Sequence, residues 1–126
     1  MAQFLKVNGQ EYPAKFISKY QDLNWDKRET QTIYLTMFHD EAAALLTTGT
    51  PWSIVQRDTV DKLDAEGNPT GETKEVVNEY DNSEYSLAGD ITDHRDGTVS
   101  IKMGKPTEAE TLRAQLAEIE EVYDAN

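Results

Sequence analysis

Hydrophobic and polar residues alternate along most of the chain, which is the pattern of half-buried β-strands. The most apolar segment spans residues 30–57. It opens with three apolar residues at alternate positions, Ile33, Leu35 and Met37. A short apolar run near 40–48 then predicts a helix capped by Asp40, and extended structure resumes at Trp52. We expect this segment to form the centre of the core.

Turn residues divide the flanking segments into hairpins. Asn8-Gly9 separates residues 4–7 from 10–19, and both residues tolerate the positive φ of a type I′ turn. Asp96-Gly97 reverses the chain a second time, near the end of the strand region. Alternation on the strand before this turn predicts that Tyr85, Leu87, Gly89 and Ile91 share one face and that Ser86, Ala88, Asp90 and Thr92 share the other. On the strand after it, Val99, Ile101 and Met103 are predicted to face inward.

A third hairpin is predicted over residues 58–80, with its tip at residues 64–72. Its arms carry few large apolar side chains, so this hairpin cannot lie across a core. We expect it to extend beyond the body as an acidic arm.

Residues 107–124 form the clearest helix, which opens with a capping box between Thr107 and Glu110. Its apolar residues fall on one stripe. The simpler interpretation docks this stripe on the sheet. The alternative is self-association through a short coiled-coil seam formed by Leu112, Leu116, Ile119 and Tyr123.

These elements predict an α+β fold. It consists of a mostly antiparallel sheet of six or seven strands with hairpins, one short internal helix and a C-terminal helix. The sequence has no internal repeat and no linker-like segment. We therefore expect a single domain over residues 1–126.

Charge is distributed unevenly. The net charge of −12 is made up of 0 in residues 1–57, −8 in residues 58–90 and −4 in residues 91–126. Such acidity disfavours direct binding to nucleic acid or to an anionic membrane, because both need basic counter-charge. It permits a basic protein as partner, and it also serves solubility alone. The acidic candidates for partner binding on the arm are Asp61, Asp64, Glu66, Glu72, Glu75 and Glu79.

The sequence predicts no catalytic, cofactor-binding or metal-binding residues. It has no cysteine, no G-x-S-x-G, no H-E-x-x-H and no phosphate-binding glycine motif. Its two histidines, His39 and His94, stand beside acids in turn-like segments. An EF-hand-like start at Asp64 fails because Pro69 replaces the required glycine. We therefore expect a protein that is not an enzyme.

The N-terminal segment lacks the pattern of a signal peptide, and no apolar run approaches the length of a membrane span. Together with the absence of cysteine, this favours the cytoplasm or a particle assembled there.

Four segments carry a resemblance to a known group of proteins: VNGQEYPAKF, NWDKRETQTIYLTM, DEAAALLTTGTPWSIV and SLAGDITDHRDGTVSIKMGK. Their order resembles small proteins from the tail and baseplate region of bacteriophages with long non-contractile tails. The resemblance implies a virion or accessory phage protein that acts by assembly or binding. It transfers no functional residue to this chain.

Three functions remain as hypotheses. The first is a structural or interaction module that contacts other protein subunits, among them a second copy of this chain. The second is an acidic inhibitor that mimics nucleic acid and binds a basic host protein. The third is a carbohydrate-binding β module that uses Trp25, Trp52 and tyrosines as stacking platforms.

Overall fold

The structure is a computed structural model that describes the backbone of residues 2–124 and the side chains of residues 2–119. The strands of the described chain are β1 (Ala2–Val7), β2 (Gln10–Asp22), β3 (Arg28–Leu35), β4 (Ser53–Leu63), β5 (Pro69–Asp81), β6 (Leu87–Asp93) and β7 (Val99–Gly104). The helices are α1 (His39–Leu45) and α2 (Glu108–Asp124). All strands pair antiparallel in the order β5-β4-β1-β2-β3-β7-β6. The predicted α+β class is confirmed.

Strand β2 joins the two halves of the sheet. Its first residues, up to Pro13, pair with β1, whereas its residues from Ala14 onward pair with β3. The change of partner falls at Pro13, which has no backbone N–H to donate to a continuous ladder. The turn before β2 is formed as predicted, with φ of 53° at Asn8 and 78° at Gly9.

The core lies on one face of this sheet and includes α1 and the loops around it. Its buried residues are Leu5, Val7, Ile33, Leu35, Ala42, Leu46, Trp52, Tyr85, Val99, Ile101 and Met103. Trp52 stacks against Phe16 with ring centroids 6.2 Å apart, and its Nε1 donates a 3.0 Å hydrogen bond to the Tyr85 carbonyl oxygen. The prediction that residues 30–57 supply the centre of the core is confirmed for Ile33, Leu35 and Trp52.

The predicted cap of the short helix is wrong. Helix α1 begins at His39, and the extended residue before it is Phe38, which makes no side-chain capping bond. Asp40 therefore lies inside the first turn, where its carboxylate contacts His39 Nδ1 at 3.2 Å. The buried Ala42 fixes which face of the helix points to the core.

The strict alternation predicted for residues 85–92, which put Ala88 and Ile91 on opposite faces, is also wrong. A bulge between Ala88 and Ile91 shifts the register of β6, so that both of these residues pack against the core. Gly89 lies beside the Trp25 ring instead of in the core, and a Cβ there would stand 2.7 Å from Trp25 Cζ3. The glycine marks a close approach between a side chain and the backbone.

The third hairpin extends beyond the body as predicted. Strands β4 and β5 pair from Ser53↔Asp81 outward to Leu63↔Pro69, and every residue from 59 to 75 is exposed. The predicted tip is too long, because residues 69–72 belong to β5. Pro69 opens this strand at the outer edge of the sheet, where no partner strand needs its missing N–H.

Candidate functional site

Helix α2 projects from the body. Every residue from 111 to 119 is exposed, and none of the α2 side chains that the structure describes, residues 108–119, belongs to the hydrophobic core. The exposed fractions are 56% for Leu112, 55% for Leu116 and 53% for Ile119. The interpretation that docks this helix on the sheet is therefore wrong. The hydrophobic core is packed without the described side chains of this helix.

A buried arginine fixes the first turn of α2, which we call its root, to the body of the protein formed by the sheet and α1. Arg28, on β3, donates two hydrogen bonds to Glu110, at 2.7 Å to Oε1 and 3.2 Å to Oε2. It also donates 3.2 Å bonds to the carbonyl oxygens of Trp25 and Lys105. Only 4% of Arg28 is exposed. A bidentate guanidinium–carboxylate pair sets orientation as well as distance, so this contact fixes the direction in which the helix leaves.

The same carboxylate closes the predicted capping box, which is confirmed. The Thr107 backbone N–H donates to Glu110 Oε1 at 2.8 Å, and the Glu110 N–H donates to Thr107 Oγ1 at 3.2 Å. The bonds from Arg28, and then from Thr107, lower the pKa of Glu110 to about 2. Glu110 is therefore ionised at neutral pH, as the contact with Arg28 requires.

Trp25 supports the arginine. The Arg28 guanidinium carbon lies 4.6 Å from the centroid of the Trp25 ring. The ring also packs against Gly104, where a Cβ would stand 2.9 Å from Trp25 Cζ3. Together with Gly89, this glycine leaves the room that the indole occupies. Trp25 thus contributes to the helix root, a role that sequence reasoning missed.

A second ion cluster lies beside the first. Lys105 Nζ lies 2.5 Å from Glu29 Oε2 and 3.3 Å from Glu84 Oε1. Tyr85 donates a 2.7 Å hydrogen bond to the same Glu29 oxygen. The bond to Glu29 is the main cause that raises the pKa of Lys105. The segment between β7 and α2 is therefore held on both sides, by Arg28 and by Glu29.

The root contact also sets which way the apolar stripe of α2 faces. We define the apolar stripe as Ala109, Leu112, Leu116 and Ile119. At about 100° of rotation per residue, Glu110 lies about 140° around the helix from the centre of this stripe. Because Glu110 points to the body, the apolar stripe points away from it. The side chain of Tyr123, predicted to continue the stripe, lies outside the described side chains.

The acidic arm presents fewer free carboxylates than its sequence suggests. Three of the six predicted acids form ion pairs with residues of β4 or β1: Glu72 with Lys62, Glu75 with Arg57, and Glu79 with Lys6. Asp64 instead holds the tip, where its Oδ1 accepts 2.9 Å bonds from the N–H groups of residues 66 and 68. Among the described side chains, Asp61 and Glu66 have no ion-pair partner. The structure does not bring the six acids into one continuous anionic surface.

The stacking platforms proposed for a carbohydrate are not exposed as a pair. Trp52 is only 2% exposed, and the Trp25 ring lies over Arg28. An open groove of about 640 Å³ crosses β1, β2 and β3, with Phe4, Ala14 and Tyr34 among its lining residues. Neither tryptophan lines it.

The described residues contain no group of three or more histidine, aspartate or glutamate side chains that could hold a metal ion. His94 stacks on Tyr34 with centroids 6.0 Å apart and contacts Ser100 Oγ at 3.0 Å through Nε2. Neither helix, over its described length, is both long and apolar enough to cross a membrane.

No protein-family model matches the chain, and no curated protein or solved structure matches it significantly. The resemblance to phage tail-region proteins therefore stays a prediction. A function for this chain is therefore inferred from the geometry of α2, its root and the arm.

Proposed function

We propose that this chain is a non-enzymatic structural module that joins other protein subunits through α2. The observation that carries the proposal is an exposed apolar stripe on a helix whose root is fixed and whose stripe faces away from its own body. Leu112, Leu116 and Ile119 are each more than half exposed. Apolar side chains in a row gain free energy when a partner removes them from water.

The four resembling segments support a setting for this role, in the tail or baseplate region of a long-tailed phage. In that setting the chain is made in the cytoplasm and becomes part of a particle or assists its assembly. The protruding arm then offers a second contact through the free edge of β5, which pairs on one side only.

The acidic-inhibitor hypothesis has weaker support. A nucleic-acid mimic needs a run of uncompensated negative charges. On the arm, Glu72, Glu75 and Glu79 are each paired with a lysine or an arginine. The three arm acids without an ion pair in the described part of the chain, Asp61, Asp64 and Glu66, are too few to imitate a phosphate backbone.

Sedimentation of a lysate from cells that produce the chain tests the proposed function. We expect the chain to sediment in assemblies larger than a single 14.2 kDa chain. Leu116→Asp should move it to the slow fractions, because it places a charge in the apolar stripe. Ala114→Asp is the matched control, since Ala114 is exposed on the opposite side of α2. A wild-type chain that sediments alone would contradict the proposal, as would a Leu116→Asp variant that still sediments with the assemblies.

A further inference from the structure

We infer that the partner of the apolar stripe is the same stripe on a second copy of this chain, in a parallel bundle with the helices in register. This inference rests on the proposed function and names the partner for it. The bodies of all copies would then lie at the same end of the bundle, where each α2 leaves its root.

The body cannot cover its own apolar stripe without breaking the root. Turning the stripe toward the sheet would rotate Glu110 away from Arg28, which is 4% exposed and would keep only the longer 3.4 Å contact with the exposed Asp26. A buried charge that loses its closest counter-charge is strongly destabilised. The stripe therefore has to find its partner on another molecule.

The charged residues on either side of the stripe favour pairing with a second copy whose helix runs parallel and in register. In heptad terms Ala109 and Leu116 occupy a, and Leu112 and Ile119 occupy d. Glu108 then falls at g and Arg113 at e. In parallel coiled coils a g residue faces the e residue five positions later on the partner helix. Glu108 of each copy therefore faces Arg113 of the next. Within residues 108–119 this register places no like charges opposite each other.

The seam covers only about two heptads, which is short for a coiled coil. The helix is nevertheless nucleated in the single chain, before the copies associate. The capping box and the Arg28–Glu110 contact already hold the first turn, and the first turn is the costly step of helix formation. We therefore expect association that depends on concentration. Leu116 at a and Ile119 at d favour more than two strands.

Sedimentation equilibrium of the purified full chain over a range of concentrations tests this inference. We expect the mass to rise above the 14.2 kDa of one chain toward a discrete multiple. Leu116→Asp should weaken association at least about tenfold. Ala114→Asp adds the same charge to the same helix, and it should leave association within about threefold of wild type, since exposed positions off the seam contribute little.

A charge exchange tests the register. Arg113→Glu alone and Glu108→Arg alone should each weaken association about twofold to fivefold, by placing like charges opposite each other. The double variant should restore it, because each copy again offers one acid and one base. Circular dichroism at low concentration verifies that every variant keeps its fold.

Two outcomes would overturn the inference. The first is a purified wild-type chain that stays at 14.2 kDa at every concentration but sediments with assemblies in the lysate. The stripe would then bind a different protein, and the proposed function would still stand. A double variant no better than the single ones would exclude the parallel register.

Discussion

Replacing Trp52 with alanine is expected to lower the free energy of unfolding by about 3–5 kcal/mol. Trp52 is 2% exposed, stacks on Phe16 and bonds to the Tyr85 carbonyl oxygen. The substitution leaves a large cavity and a buried acceptor without its donor. For a domain of this size such a loss is a large fraction of the total stability. Urea unfolding monitored by circular dichroism measures it.

Phe38→Ala is the matched control for this prediction. Phe38 is also aromatic, but 77% of it is exposed, so its loss should change stability by less than about 0.5 kcal/mol. A loss of less than about 1 kcal/mol for Trp52→Ala would contradict a core packed around Trp52. Trp52→Phe separates the two contributions, because it keeps most of the ring volume and removes only the N–H donor.

The second large effect is expected from Lys102→Met. Lys102 Nζ lies 2.6 Å from Oδ2 of Asp22, whose side chain is fully buried at the end of β2. Without the lysine the carboxylate is buried without counter-charge. A loss of about 2–3 kcal/mol follows, below the range for fully buried pairs because Lys102 itself is 25% exposed. Thermal and urea unfolding of both proteins give the difference.

The pH dependence of this difference identifies its cause. The bond from Lys102 is the main reason that the pKa of Asp22 is lowered. A carboxyl group with a lowered folded-state pKa contributes stability above its unfolded pKa of about 3.9, and this contribution is lost as the pH falls through the folded-state value. The gap between wild type and Lys102→Met should therefore shrink below about pH 4. Asp22→Asn combined with Lys102→Met should recover part of the stability at neutral pH. A gap that does not change with pH would argue against the ion pair.

Local patterns predict the body of this fold well. The alternation around Ile33 and Leu35, the Asn8-Gly9 turn and the capping box at Thr107 each depend on residues close in sequence. The same is true of the projecting hairpin, because a scarcity of apolar residues between 58 and 80 is visible in the sequence alone.

The corrected features depend on residues far apart in the chain. The bulge in β6 contains Gly89, which lies beside the Trp25 ring, and a run of alternating residues gives no sign of that approach. The direction of α2 follows from Arg28 and Glu110, which are 82 positions apart. An apolar stripe predicts that a helix has a partner, but it does not say whether that partner is its own sheet or another molecule.

The sequence therefore predicts the apolar residues of the candidate site but not the residues that orient them. Leu112, Leu116 and Ile119 were identified from their spacing. The groups that hold and orient them, Arg28 and Trp25, carry no sequence signal of that role. A lone arginine after a polar turn has the pattern of a solvent-exposed residue, and only the fold shows that it is buried against an indole and a carboxylate.

The unfolding free energy of a chain that ends at residue 111 shows whether α2 belongs to the core or projects from it. This variant keeps Thr107, Glu110 and the contact with Arg28, and it removes the exposed part of α2. At a concentration where the full chain is monomeric, the two proteins should agree within about 0.5 kcal/mol, because no α2 side chain between residues 108 and 119 belongs to the core. A loss of more than about 2 kcal/mol would show that the helix belongs to the core and is not a separate contact element.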